Sequence, residues 1–150
     1  MTIIIGIDPG DKHVGFCSIE LDSMGKYKWS NRHTETMNPP KCLDALRSLG
    51  RGGDIAAVVV EEFRLYPWAT KEQGFSQMKT CEMIGAIKLW REWFQPDLTL
   101  TLQSAQIKKP TFAVMRGRGY DLTPGTQHGK DAEAHLYHYI ERTPALCLEK

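Results

Sequence analysis

Residues Ile3 to Leu21 read IIIGIDPGDKHVGFCSIEL: an apolar run ending in aspartate, a Pro-Gly turn, and a second apolar run. Thr2 to Asp8 predicts a central strand, because a near-continuous β-branched run offers apolar side chains to both faces of a sheet. Pro9-Gly10-Asp11 supplies a turn, and Val14 to Leu21 alternates enough for a half-buried second strand. A carboxylate at the end of a buried strand carries a heavy desolvation cost unless something compensates it. Asp8 is therefore the first candidate functional residue, whereas Asp11 and His13 read as solvated turn residues.

Outward from this hairpin, Tyr27 to Glu35 predicts a third strand that completes an antiparallel meander, with Ser23-Met24-Gly25 as the connection. Asn38-Pro39-Pro40 starts a helix, since proline is tolerated in a first turn, and Gly50 with Gly52-Gly53 stops it. Ile55 to Val60 is another buried strand, and it too runs into acid, Glu61-Glu62. From Gln73 to Phe94 a long helix is expected. Met78, Cys81, Ile84, Ile87 or Lys88, and Arg91 or Trp93 follow one another by threes and fours, and Pro96 ends the pattern. Leu98 to Leu102 alternates with threonine and reads as a strand. Ser104 to Arg118 reads as a poorly formed helix or loop broken at Pro110, and Lys130 to Glu141 as a helix beginning near His128. No internal repeat or low-complexity linker is found. The order predicts an α/β domain over residues 1–150, a mixed five-stranded sheet flanked by helices.

The composition, 41% hydrophobic and 25% charged over 150 residues, is that of an ordinary globular domain. No apolar run approaches the roughly 20 residues of a membrane span. The N-terminus lacks the cationic stretch of a signal peptide, so a cytoplasmic protein without membrane association is expected. Cys17, Cys42, Cys81 and Cys147 have no paired metal spacing and read as reduced thiols. The net charge of +1 is uninformative, but its distribution is not. Between Ser104 and Lys130 stand Lys108, Lys109, Arg116, Arg118 and Lys130 against a single acid, Asp121. Alone, such a run is a solvated loop; beside an acidic catalytic centre it becomes a polyanion-facing segment.

Two strand ends deliver acids, and strand ends are where open α/β sheets place ligands. A third contribution comes from HGKDAEAHLYHYI, His128 to Ile140. His128 and Asp131 are three apart and share a helix face with Ala132, Leu136 and Tyr139, so Asp131 points inward. His135 and His138 share the face of His128 and are expected to pack or snorkel. Glu61 and Glu62 point to opposite faces; Glu61 is taken as the last strand position and Glu62 as the first of the loop. Asp8, Glu61, His128 and Asp131 together form an oxygen-rich set suited to Mg²⁺ or Mn²⁺.

These residues resemble a known family. GIDPGDKHVG resembles the Asp-Pro-Gly opening of RuvC-like Holliday junction resolvases, which have the ribonuclease H-like fold. VVVEEF is similar to that family's second acidic strand, and HGKDAEA to its C-terminal acidic helix, in the same order across nearly the whole chain. The resemblance implies a homodimeric structure-specific DNA endonuclease holding two Mg²⁺ or Mn²⁺ ions per active site, about 3.5–4 Å apart. It implies metal-ligand roles for Asp8, Glu61, His128 and Asp131, with Asp8 bridging, and a 5′-phosphate and a 3′-hydroxyl as products. His128 stands where many members carry aspartate. Lys108 or Lys109 falls where the family has a basic residue near the scissile phosphate. Phe63, Arg64, Tyr66, Trp68 and Lys71 follow the second acidic strand, where the family's loop reaches the junction. Their aromatic rings could stack on a base, or Phe63 and Trp68 could cap the core beneath the loop. With Lys108, Lys109, Arg116, Arg118 and Lys130 they form the expected DNA-binding set.

Three other readings compete. A flap- or fork-cutting nuclease would need the same site and a more permissive loop. A non-catalytic junction-binding module would need the site to have decayed, yet all four ligand positions hold competent side chains. The phosphate loop of the actin and sugar-kinase ATPases also resembles GIDPGDKHVG, but that fold needs a second such loop and leaves Asp131 unexplained.

Overall fold

The computed structural model describes residues 2–53, 55–64, 74–143 and 146–148, with the backbone alone at 74–78, 147 and 148. Strand β1, Thr2–Asp8, lies at the centre of a five-stranded sheet. Beside it runs β2, Val14–Leu21, antiparallel, with Asp8 opposite Gly15. On the other side β5, Ile55–Glu62, runs parallel to β1, with Gly6 opposite Val59. The edges are β4, His33–Met37, antiparallel to β2, and β6, Thr99–Ser104, parallel to β5. The sheet order is thus β4-β2-β1-β5-β6, the mixed α/β sheet expected from the sequence.

The two faces of the sheet carry separate cores. Ile5, Ile7, Val58 and Val60 pack against α1, Pro39–Arg51, and α2, Gly74–Phe94, through Cys42, Leu46, Ile84, Ile87 and Trp90. Ile4, Cys17, Ile19 and Ala57 pack against α4, Gln127–Glu141, through Ala132, Leu136 and Ile140, and against Met115 of α3, Lys108–Gly117. Burying each such isoleucine contributes about 1.5–3 kcal/mol. Cys17, Cys42 and Cys81 are free thiols, the first two buried. Among the described residues no helix is long and apolar enough to cross a membrane.

Several boundaries differ from expectation. The third strand of the meander starts six residues later than Tyr27, at His33, and runs on to Met37. Lys26–Tyr27 is instead a short strand, β3, parallel to β7, Cys147–Leu148, and Trp29–Asn31 forms one 3-10 turn. The indole of Trp29 fills the core beside Tyr120 and Tyr137, which outweighs the strand propensity around it. Pro110 does not break a helix: it is the third residue of α3, where the missing N–H would find no partner anyway. In α2 the buried residues are Met83, Ile84, Ile87 and Trp90, whereas Cys81 and Trp93 are exposed. Gly50 is the penultimate residue of α1 and buried, so the stop comes at Gly52.

Glycine decides how closely α4 approaches the sheet. A Cβ on Gly6 would stand 2.6 Å from the Ala132 carbonyl oxygen, and one on Gly15 would stand 1.8 Å from that of His128. The first turn of α4 is fastened to β4 as well. Its N-cap Thr126 accepts from Gly129 N and bonds the Thr36 hydroxyl, and a Cβ on Gly129 would crowd the Thr34 methyl at 3.2 Å.

Candidate active site

Asp8, the last residue of β1, lies on the α4 face with Ile4 and Gly6, as the alternation of a strand requires. By the same alternation Glu61 shares the face of Ala57 and Val59. Since β1 and β5 are parallel neighbours, the two carboxylates come out side by side. Glu62 lies within β5 rather than in the loop; it points away and pairs with Arg64 at 2.9 Å. From above, α4 lowers Asp131 onto the pair. Ligand oxygens of Asp8, Glu61 and Asp131 all lie within 4.8 Å of one another.

Cations and amides surround this triad. Lys108, the first residue of α3, places Nζ 2.8 Å from Glu61 Oε2 and 2.9 Å from Asp131 Oδ2. Gln127 donates to Asp131 Oδ1 at 2.6 Å. The His128 ring nitrogen Nδ1 lies 2.6 Å from Asp8 Oδ2, and His13 stands behind it at 6.3 Å between ring centroids. His128 therefore touches Asp8 but stands outside the carboxylate cluster. Beneath the triad, His135 is fully buried and contacts both Glu61 and Gln103. The triad opens into a cleft of about 470 Å³ lined also by Pro9, Gly10, Asp11, Phe63 and Thr80.

The electrostatics separate the two strand-end acids. Burial, and then the Glu61 charge, push the Asp8 carboxyl up to about 7, with the His128 hydrogen bond and Lys108 pulling the other way. Burial also raises Glu61, but hydrogen bonds from His135 and Lys108 overcome it and hold that carboxyl at about 2. Burial works against the Lys108 ammonium, yet its bonds to Glu61 and Asp131 raise its pKa above the ordinary lysine value. Three carboxylates with one lysine between two of them form a site short of positive charge. Hard oxygen donors of this kind could hold Mg²⁺ or Mn²⁺.

The remaining sequence candidates separate into groups. Lys109, Arg116 and Lys130 line an open groove of about 560 Å³ that begins at Lys108 and Asp131. Arg118 is not among the residues lining that groove; its guanidinium bonds the Tyr137 hydroxyl and Glu141, each at 2.6 Å. Phe63 is half-buried against the core and also lines the cleft, whereas Arg64 is exposed. Tyr66, Trp68 and Lys71 lie outside the described residues. Sequence reasoning missed Gln103 and Gln127, and it expected His135 to pack or snorkel. His135 is four residues after Asp131, hence on its face, and Gln103 is the register partner of Glu61, a pairing visible only once β5 and β6 are neighbours.

No family model matches the sequence, and no curated protein matches it. Solved structures do. Thermus thermophilus RuvC in complex with Holliday junction substrate matches with a TM-score of 0.67 at 18% identity, over 97% of this chain and 98% of that one. A second structure of Thermus thermophilus RuvC gives 0.60 at 21%, over 91% and 92%. Fowlpox virus resolvase with substrate Holliday junction DNA gives 0.57 at 16%, over 93% and 97%. At such identities the likeness is one of fold: this chain has the fold of RuvC and of the Fowlpox virus resolvase.

Proposed function

We propose that this protein is a metal-dependent endonuclease that resolves four-way DNA junctions by paired nicks, a crossover junction endodeoxyribonuclease acting as a homodimer. One observation carries the reading: Asp8, Glu61 and Asp131 converge within 4.8 Å at the mouth of a cleft that adjoins a basic groove. The shared fold with two junction-bound resolvases supports it. The exposed Leu89, Trp93 and Phe94 at the end of α2 are consistent with a seam between two copies.

Asp8, Glu61 and Asp131 would hold Mg²⁺ or Mn²⁺, two ions per site. Bound there, the ions would polarise the scissile phosphate and acidify the attacking water. His128, 43% exposed and hydrogen-bonded to Asp8, would orient that water and take its proton. Lys108, once turned from the carboxylates, offers its charge to the phosphate oxygens as negative charge develops. Lys109, Arg116 and Lys130 would track the backbone of the strand entering from the groove, giving salt-dependent binding without base readout. The products would be a 5′-phosphate and a 3′-hydroxyl.

The test is cleavage of a labelled four-way junction, a flap, a fork and a linear duplex with Mg²⁺, Mn²⁺ or EDTA, beside Asp8→Asn and Asp131→Asn. Paired symmetric nicks confined to the junction, metal-dependent and lost in both variants, are expected. Equal cutting of flap and fork would leave a general branched-DNA nuclease. Binding without cutting would sink the catalytic reading.

A further inference from the structure

Glu61 reaches the cleft on a flexible side chain, and a carboxylate used to grip a cation needs its orientation held. Two groups hold it, and both fall on the same oxygen, Oε2: Lys108 Nζ at 2.8 Å and His135 Nε2 at 2.8 Å. They differ in what they can do next. Lys108 lines the cleft, on a long side chain with four rotatable bonds. His135 is fully buried on α4, one turn beyond Asp131, and its other nitrogen, Nδ1, lies 2.9 Å from Gln103 Oε1.

Gln103 is itself the β6 residue that faces Glu61 across the β5–β6 ladder. The three side chains thus close a ring: two adjacent strands are paired by their backbones, and an imidazole from the helix above spans their side chains. Packing alone asks for an apolar side chain at position 135, as at Ala132, Leu136 and Ile140 nearby. A fully buried imidazole costs free energy unless both nitrogens find partners; here Nε2 donates to the Glu61 carboxylate, and Nδ1 meets the Gln103 side-chain amide, whose NH2 end can donate to it. We propose that His135, anchored by Gln103, is a positioning residue that pins Glu61 Oε2 and so presents the other carboxylate oxygen to a divalent cation. This rests on the metal-site reading above and adds to it the group that fixes one ligand.

The experiment is calorimetric titration of Mn²⁺ into the full chain, with no DNA and no turnover, while thermal melting reports folding separately. His135→Leu should weaken Mn²⁺ binding by about 10- to 100-fold. His135→Gln, whose amide can still donate to the carboxylate, should recover most of that loss. Gln103→Met keeps the volume and removes the anchor, and should fall between the two. The double variant should bind no worse than His135→Leu, because the pair acts as one unit.

Folded His135→Leu protein with affinity within about twofold of the parent overturns the proposal. If that variant does not fold, unchanged affinity in Gln103→Met overturns it. Asp131→Asn provides the reference for a lost ligand. A parent chain that takes up no Mn²⁺ would bring down the metal-site reading, and this one with it. Parent-like uptake in both position-135 variants would remove this inference alone.

Discussion

Lys108 reaches Glu61 with its ammonium 2.8 Å from Oε2, so one cation already stands among the carboxylates. The same nitrogen lies 2.9 Å from Asp131, and all three side chains are less than a quarter exposed. Lys108 therefore offsets charge repulsion in the fold and competes with any cation that enters. Lys108→Met should destabilise the protein in the absence of Mn²⁺ by about 1.5–3 kcal/mol, the range for hydrogen bonds to charged groups. It should also strengthen Mn²⁺ binding, and lower junction cleavage by about 10²–10³. Urea unfolding with and without Mn²⁺ checks the first two effects together. Equal stability of parent and variant without metal would refute the counter-charge role.

The two strand-end acids predict opposite pH behaviour. Asp8 sits at about 7 in the fold against an ordinary value of 3.8. The folded chain thus binds this proton more tightly than the unfolded one. The contribution of Asp8 to stability is greatest in acid and is lost as pH rises from about 4 to about 7. Glu61, held at about 2, contributes stability above its ordinary 4.5 that is lost as pH falls towards 2. A cation needs Asp8 ionised, so binding below about pH 7 must expel a proton. Mn²⁺ titrations near pH 6 in buffers of different ionisation enthalpy should register close to one proton released. None should be released a unit or more above 7.

Glu133, fully buried on α4, fastens the far side of the same helix. Its carboxylate pairs with Arg32 at 3.2 Å, accepts from the Thr34 hydroxyl at 2.7 Å, and accepts from Thr123 N at 3.2 Å. Glu133→Ala leaves the largely buried Arg32 charge with the Trp29 and Asp121 carbonyls but no carboxylate, and should cost about 3–5 kcal/mol. Glu133→Gln keeps the shape and should cost less. Denaturant midpoints for the two variants give the comparison, and a loss below about 1 kcal/mol in Glu133→Ala would refute the pin.

Gly15 is the point where β2 passes under the first turn of α4. A methyl group there has no room against the His128 carbonyl, so Gly15→Ala must lift the helix end that carries His128 and Asp131. A cost of at least about 1–3 kcal/mol is expected, with metal affinity and cleavage falling together. Gly85, whose Cβ would meet nothing, is the control: Gly85→Ala in the interior of α2 should be neutral or stabilising by up to about 1 kcal/mol. Parent-like Mn²⁺ affinity in Gly15→Ala would show that the helix tolerates the displacement.

Much of the site was legible because it obeys short-range geometry. Near-continuous apolar runs along Thr2–Asp8 and from Ile55 to Val60 ended in Asp8 and Glu61-Glu62, at the ends of buried strands. The three-residue spacing of His128 and Asp131 put them on one face of a helix whose apolar positions pointed the acid inward. These readings depend only on local pattern, a run or a period, and the residues themselves carry it. The tertiary structure decided what touches what. Parallel pairing of β1 with β5 sets Asp8 beside Glu61, and the bare backbones at Gly6 and Gly15 let α4 bring Asp131 down between them. Packing over the sheet made Pro110 a first-turn residue, and so delivered Lys108 to the carboxylates. It also turned His135 from a core-filling ring into the partner of Glu61 and Gln103. Such contacts join residues tens of positions apart, and burial summed over the whole sheet selects them; no local propensity encodes which strand lies next to which.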